Sequence, residues 1–498
     1  MERTLLSSQE LYHEIFGSIL DRTEMSPYLL LRAGGYKAAL KQATKMMGNR
    51  GFDTRGGGEL RDSEKGRALQ YVDQACRYFA HWMFPFCRDH FEKLVSLKSD
   101  NAGLYAEYLK TVGGLEKVLS DTHFRQVATE DPRHLFLLAS SRKYPQVFHG
   151  YHNGSFEVPE EWQQMACAIL KMGHLVKSIE EDSQDINDYA QLGMFLESEG
   201  QSLHDLYRYN WDNPVRLPAS EAAQRAFVKI STFFHKLRES LMLDTEKGCL
   251  VFNSGDGVEV DIAEIKARLK SPESMFTKLG KSVEEEAYDI RDILAITFIL
   301  KSREDTLKLF HALQKRGVIL QENTVSHSIT QTLFEGPDDM IEATRRLMVS
   351  LSRSEGLNEE PGNADLHENA SRFFEALSVN ASKNMHSSAG HKKFQCKITF
   401  SLPIHRTADS NQIIVPGTST YINRDLIGKK TEQHTLSVEL RISDEQSWYD
   451  SEQKGDSHHD AYKFRQLIAV MNRVFKGRFH FPPERIKQIR MDQVRLFS

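Results

Sequence analysis

The sequence predicts an α+β protein in which an all-helical N-terminal part precedes a mixed β-sheet. Up to about residue 240, apolar residues recur three and four positions apart, as on the buried face of a helix. From Cys249 onwards, short β-like runs and two strictly alternating segments replace that period. The change predicts an all-helical domain of unknown role over 1–244 and a second domain over 245–498.

Length and composition fit this division. A chain of 498 residues is too long for one ordinary core, and its 40% hydrophobic and 27% charged residues are typical of a globular protein. No apolar run is long enough for a bilayer, and the first residues lack a signal pattern, so we expect a cytoplasmic protein without a membrane partner. The five scattered cysteines argue against a disulfide framework and a zinc knuckle.

The helical period is carried by four segments of the N-terminal part. They cover 36–47, 66–97, 160–181 and 220–243. Aromatic residues among them, such as Trp82, are expected in the core.

The second part begins with short strands, predicted at 250–252, 258–262 and 293–300. Ser302 and Asp305 then open a helix like a capping box, and Gly317 closes it. Residues 318–320 are predicted to form another strand. A polar stretch at 352–366 indicates a surface loop or an insertion, which we place near 337–385.

Two alternating strands follow, at 393–402 and 434–442. In the second, Leu436, Val438, Leu440 and Ile442 share one face, and Ser437, Glu439 and Arg441 share the other. We therefore expect a mixed sheet with helices packed on one side and an open polar face on the other.

A basic motif precedes the first strong strand. Pro272 can start a helix, which places Ser274 and Lys278 four residues apart on one face, and Arg268 and Lys270 lead into it. Cations and a hydroxyl near a helix N-terminus can hold a polyphosphate. The alternative is a chance spacing in a chain with 64 lysines and arginines.

Two carboxylates could hold a metal ion. Asp292 stands just before a buried strand, and Glu439 lies in the middle of another. Carboxylate oxygens suit Mg²⁺. The alternatives are a capping role for Asp292 and, for Glu439, a salt bridge with Lys393, Lys397 or a cross-strand partner.

In their order along the chain, these motifs resemble the RelA/SpoT-like nucleotide pyrophosphokinases (ppGpp synthetases) over about residues 245–475. The resemblance implies a nucleotidyltransferase-like synthetase domain that transfers pyrophosphate from ATP to a ribose 3′-hydroxyl, classically of GDP or GTP, in the stringent response. It implies that ATP phosphates bind the basic motif, and that Asp292 and Glu439 hold Mg²⁺, with Glu439 also the base. The four residues of the basic motif are Arg268, Lys270, Ser274 and Lys278.

For the acceptor, the resemblance implies His391, Lys393 and Arg441. Gly390-His391 stands where the family has Gly-Tyr, Arg441 where it commonly has Gln, and its usual acceptor loop is not readable here. The alternative is therefore a catalytically altered relative that acts on tRNA ends or senses nucleotide or RNA. Residues 462–498 form a basic tail that either contacts phosphate or an acidic partner, or is a solvated terminus.

Overall fold

The structure is a computed structural model that describes residues 35–52, 54, 60–141, 159–178, 236–281, 294–320, 329–378, 392–405, 431–475 and 477–498. The chain divides into two compact units. The helical unit takes in 1–182, 273–286 and 460–498, and the sheet unit takes in 183–272 and 287–459. Elements are numbered below along the described residues.

The described helices lie in both units. In chain order they are α1 (Gly35–Asn49), α2 (Asp62–Arg77), α3 (Phe84–Ser96), α4 (Ala102–Ser120), α5 (Thr122–Glu130), α6 (Pro132–Ser141), α7 (Glu160–Lys177), α8 (Pro272–Lys281), α9 (Thr306–Lys315), α10 (Ile341–Ser354), α11 (Asn363–Ser378), α12 (Glu445–Gln453), α13 (His459–Val474) and α14 (Pro483–Leu496). A π-helical turn, Tyr78–Met83, joins α2 to α3.

The described strands are β1 (Leu241–Asp244), β2 (Cys249–Asn253), β3 (Glu259–Leu269), β4 (Leu294–Leu300), β5 (Thr330–Gln331), β6 (Phe394–His405) and β7 (Thr431–Asp444). They form a sheet in the order β1-β2-β3-β4-β7-β6-β5. Strands β4 and β7 pair in parallel, and the other described pairs are antiparallel. The predicted α+β class with a mixed sheet is confirmed.

One face of this sheet is apolar and buried. Ile296, Leu440 and Cys396 lie side by side on β4, β7 and β6 and are inaccessible to solvent. Helix α9 packs on this face, and Phe310 contacts Phe394 edge-on with ring centroids 5.0 Å apart. The predicted alternation of β6 and β7 is confirmed wherever their side chains are described.

The strand predicted at 318–320 is wrong. Gly317 has a φ of +66°, and the amides of Val318 and Ile319 donate to the Leu313 carbonyl at 2.9 and 3.1 Å. Those bonds close the C-terminus of α9, so the segment covers the helix end with buried apolar side chains instead of joining the sheet.

The helix predicted at 220–243 ends before residue 241, because Leu241–Asp244 is strand β1. Asp244 Oδ1 accepts hydrogen bonds from the amides of Glu246 and Lys247 at 3.0 and 2.9 Å. The turn they form lets β1 pair with β2.

The region placed near 337–385 as an insertion contains α10 and α11, and the predicted loop at 352–366 is confined to the linker between them. Arg303 ties this region to the start of α9 through two hydrogen bonds to the Asp339 carboxylate, at 2.6 and 3.1 Å.

The compact units do not follow the predicted division at 244/245, because α8 and the last two helices pack with the N-terminal helices. Tyr78 and Thr277 share a buried hydrogen bond of 2.9 Å, which fixes α8. Arg473 donates to the carbonyls of Leu279 and Gly280 at 2.6 and 3.3 Å and so caps the end of α8.

The predicted basic tail is therefore built into the helical unit. Arg465 is buried and donates to Gln493 at 2.7 Å, and Arg478 donates to Gln164 at 2.6 Å. Arg465 and Arg478 form hydrogen bonds within the helical unit, so the predicted alternative of a solvated terminus does not describe these two residues. In the described part of the chain, no helix combines the length and apolarity that crossing a membrane requires.

A buried carboxylate attaches α14 to α4. Asp492 is 4% exposed, and its Oδ2 accepts hydrogen bonds from Tyr105 Oη at 2.7 Å and from Ser99 and Asn101 at 3.1 Å each. Burial, followed by this hydrogen bond, raises the pKa of Tyr105, so the phenol stays protonated and donates.

We predict that Asp492→Ala lowers the free energy of unfolding of the helical unit by about 2–4 kcal/mol, because it leaves buried donors without their charged acceptor. The measurement is amide hydrogen exchange of peptides from α4 and α14 at increasing urea. Asp89→Ala is the control, since Asp89 is an exposed partner of Lys93 and its loss should cost less than about 0.5 kcal/mol. Equal protection in the two variants would contradict the prediction.

Candidate functional site

The second face of the sheet carries polar residues on four neighbouring strands. We call it the polar face and define it by Glu264, Lys266, Arg268, Thr297, Gln395, Lys397, Glu439 and Arg441. They share a face because they occupy alternate positions of strands in register.

The pairing register puts two cations and a carboxylate in one row across the strands. Arg268 pairs with Ala295, Ala295 with Glu439, and Glu439 with Lys397. Neighbouring strands are about 4.8 Å apart, so the backbones of Arg268 and Glu439 are about 10 Å apart, with the small side chain of Ala295 between them. Arg268 and Glu439, chosen from sequence as phosphate ligand and base, therefore lie on the same face.

The adjacent row contains Lys266, Thr297, Arg441 and Gln395. Arg441 lies two positions from Glu439 on the same face of β7, and Gln395 pairs with Arg441 on the neighbouring strand β6. Both side chains are therefore within reach of Glu439.

Glu439 is 3% exposed and held by these two neighbours. Its Oε1 accepts from Arg441 Nε at 2.6 Å and lies 2.5 Å from a second guanidinium nitrogen. Its Oε2 accepts from Gln395 Nε2 at 2.9 Å. Charge-assisted contacts of this kind fix the orientation of a buried carboxylate and replace the water that it loses on burial.

The expectation of an open polar face is wrong at its centre. Ala295, Thr297, Ser437 and Glu439 are all buried. Ala295 and Thr297 are the small side chains that β4 contributes to this face, and both are buried. The alternation of polar and apolar residues in one strand shows which residues share a face, but not whether that face is covered. Towards the edges, Arg268 on β3 is exposed, and Lys266 and Lys397 are half-buried.

The four residues of the basic motif divide between the two units. Arg268 lies on β3 and Lys270 directly follows that strand, both in the sheet unit. Ser274 and Lys278 lie one turn apart on α8, as predicted from Pro272, and belong to the helical unit. The predicted helix start is confirmed.

Two of the predicted residues, Asp292 and His391, lie outside the described residues.

Lys393 precedes β6, and its amide donates to Thr332 Oγ1 at 3.0 Å, while its carbonyl accepts from the Thr332 amide at 2.8 Å. Arg441, assigned to the acceptor from sequence, pairs with Glu439. Within the described ranges, no group of three histidine, cysteine, aspartate or glutamate residues is arranged to hold a metal ion.

Sequence reasoning missed Trp448 on α12, whose ring centroid lies 5.1 Å from Lys266 Nζ. Lys266 alternates with Arg268 on β3, so its position on the polar face could have been read from the strand period. The contact with Trp448, 182 positions along the chain from Lys266, carries no local signal. The role of Gln395 likewise depends on the pairing of β6 with β7.

We predict that Arg441→Met lowers the free energy of unfolding of the sheet unit by about 2–4 kcal/mol, because Glu439 stays buried without its guanidinium. Glu439→Gln together with Arg441→Met should recover part of this loss, which gives a non-zero coupling energy in a double-mutant cycle. Amide hydrogen exchange of peptides from β6 and β7 measures both effects.

The matched pair is Asp450 and Lys454, which are 2.8 Å apart on the surface of the same unit. Their coupling energy should be smaller than that of the buried pair, because both groups are exposed and solvent screens their attraction. A coupling for Glu439 and Arg441 no larger than this would show that the buried pair does not hold β7.

Comparison of the chain with protein-family models, with curated proteins and with solved structures found no match. The resemblance to RelA/SpoT-like synthetases accordingly rests on the order of the motif residues along the chain.

Proposed function

We propose that the chain is a Mg²⁺-dependent pyrophosphokinase that transfers pyrophosphate from ATP to the ribose 3′-hydroxyl of a nucleotide, as in ppGpp-type alarmone synthesis from GDP or GTP. The observation that carries the proposal is the row of Arg268, Ala295, Glu439 and Lys397, in which a carboxylate lies between two cations on one face. A polyphosphate needs the cations, and an attacking hydroxyl needs the carboxylate. The proposal places the reaction in the cytoplasm.

In this reaction, the 3′-oxygen of the acceptor attacks the β-phosphorus of ATP. The new O–P bond forms as the bond between the α,β-bridging oxygen and the β-phosphorus breaks, and AMP leaves. Glu439 takes the hydroxyl proton, and Arg268 and Lys397 neutralise the phosphate oxygens. The resemblance further assigns Lys270, Ser274 and Lys278 to the ATP phosphates, and His391, Lys393 and Arg441 to the acceptor. Fixed charges of this kind supply most of the catalysis in phosphoryl-type transfer.

Magnesium would be held by Asp292 and Glu439 and would neutralise charge on the transferred phosphates. Glu439 fits in the type of its donor atoms, since carboxylate oxygens are the ligands that Mg²⁺ prefers. It fits less well in its surroundings, because both oxygens already accept hydrogen bonds, from Arg441 and Gln395. The proposed base must therefore loosen its hold on Arg441 when the acceptor binds.

We predict that Glu439→Gln and Asp292→Asn each lower the rate of AMP release from ATP at least about 100-fold, because each removes a proposed metal ligand and the first also removes the base. The assay follows AMP, and transfer of label from γ-labelled ATP, with GDP, GTP, ADP or tRNA as acceptor. Asp261→Asn is the control. Asp261 is a β3 carboxylate bonded to Lys247 at 3.2 Å and should leave the rate unchanged. Unchanged AMP release in Glu439→Gln would rule out this mechanism.

A second candidate is a protein of the same fold that binds nucleotide or RNA as a sensor without turnover. It is favoured by one observation, the pairing of Glu439 with Arg441, which occupies the proposed base. ATP binding in calorimetry without label transfer to GDP, GTP, ADP or tRNA would select it. Transfer to tRNA alone would instead select the RNA-end activity, and absence of binding to both ATP and RNA would exclude the pyrophosphokinase, the sensor and the RNA-end activity.

A further inference from the structure

Helix α12 carries a tryptophan to the polar face. The helix begins directly after β7, where Asp444 Oδ1 accepts a hydrogen bond from the amide of Ser447 at 2.9 Å. This N-cap fixes the first turn of the helix, and Trp448 is the next residue. Its ring lies 5.1 Å from Lys266 Nζ, on the strand that also carries Arg268. Trp448 thus lies in the first turn of the helix that directly follows β7, the strand that carries Glu439.

A flexible side chain covers the contacted face of this ring. Lys266 Nζ lies 3.3 Å from Glu264 Oε2, and the two side chains are 41% and 53% exposed. Both reach into solvent, so a ligand can displace the ammonium without disturbing the core. Among the other described tryptophans, Trp82 stacks on Tyr78 and Phe86, and Trp162 packs edge-on against Phe124. Those two rings contact aromatic neighbours, whereas Trp448 meets a cation.

The ring borders the cations that the proposed function assigns to phosphate. Lys266 and Arg268 are two positions apart on the same face of β3, a separation of about 6.6–6.8 Å. Lys266 also shares its cross-strand row with Arg441. A ligand with an aromatic end and an anionic end could therefore place its ring on Trp448 and its phosphates against Arg268.

We propose that Trp448 stacks the purine base of the nucleotide, which takes the place of the Lys266 ammonium on the indole face. This inference rests on the proposed function, because it presupposes that the polar face binds nucleotide phosphates. Base stacking on an aromatic ring is stronger than an exposed cation–π contact, so the exchange favours the base. Every base has a π-face, so the site should distinguish ATP from GTP only weakly.

The experiment compares two probes by titration calorimetry at fixed Mg²⁺: ATP, and inorganic tripolyphosphate, which has phosphates but no base. Trp448→Leu should bind ATP about 5- to 150-fold more weakly than the wild type, which corresponds to about 1–3 kcal/mol. It should bind tripolyphosphate as the wild type does. Trp448→Phe keeps an aromatic face and should retain most of the ATP affinity.

Tyr449→Leu is the matched control, because Tyr449 is the next residue of α12, is 55% exposed and contacts Lys454 instead of the polar face. Its ATP affinity should equal that of the wild type. Equal ATP affinity in Trp448→Leu and the wild type would overturn this inference and leave the proposed function standing. Equal losses for ATP and tripolyphosphate in Trp448→Leu would also overturn it, since the ring would then act only on the fold. Failure of both probes to bind the wild type would overturn the proposed function itself, and the inference with it.

Discussion

The ion pair between Glu439 and Arg441 is the interaction on which the arrangement of the sheet depends. Burying an ionised carboxylate costs several kcal/mol unless hydrogen bonds and an opposite charge replace its water. Arg441 comes from the same strand and stays beside Glu439 in any register, whereas Gln395 comes from β6 and meets Glu439 only in the observed register. A slip of one residue would turn Glu439 into the apolar core. Burial of the paired Glu439 and its hydrogen bond to Gln395 therefore both favour the observed pairing of β6 with β7.

The same pair limits what Glu439 can do. A carboxylate whose oxygens already bind a guanidinium and an amide must give up one of these contacts before it can accept a hydrogen bond from an acceptor hydroxyl. A phosphate that competed for Arg441 would release Glu439. Substrate binding and activation of the base would then be one event, and the buried pair would keep the base inactive until the phosphates arrive. In the sensor alternative, a bound phosphate would never take Arg441 away from Glu439.

The sequence predicted the features that depend on neighbouring residues. Alternation in β6 and β7 gave the right faces, and Pro272 gave the right helix start, because backbone periodicity and proline geometry act over a few residues. Prediction from the sequence failed where contacts between residues far apart in the chain determine the structure. The amides of Val318 and Ile319 bond back to α9, and the burial of Ala295 and Thr297 reflects packing from outside the strand. The attachment of α14 through Asp492 to Tyr105, across 387 positions, leaves no local pattern.

The charges of the polar face favour an anionic ligand although the whole chain is acidic. The chain has a net charge of −5, yet the polar face carries four cations, Lys266, Arg268, Lys397 and Arg441, against two carboxylates. Arg441 is matched by Glu439 inside the sheet and Lys266 by Glu264, while Arg268 and Lys397 lie towards the edges of the face. A local field of this sign attracts polyphosphates and repels free cations. For the proposed pyrophosphokinase, magnesium would accordingly be expected to arrive together with the phosphates of the nucleotide.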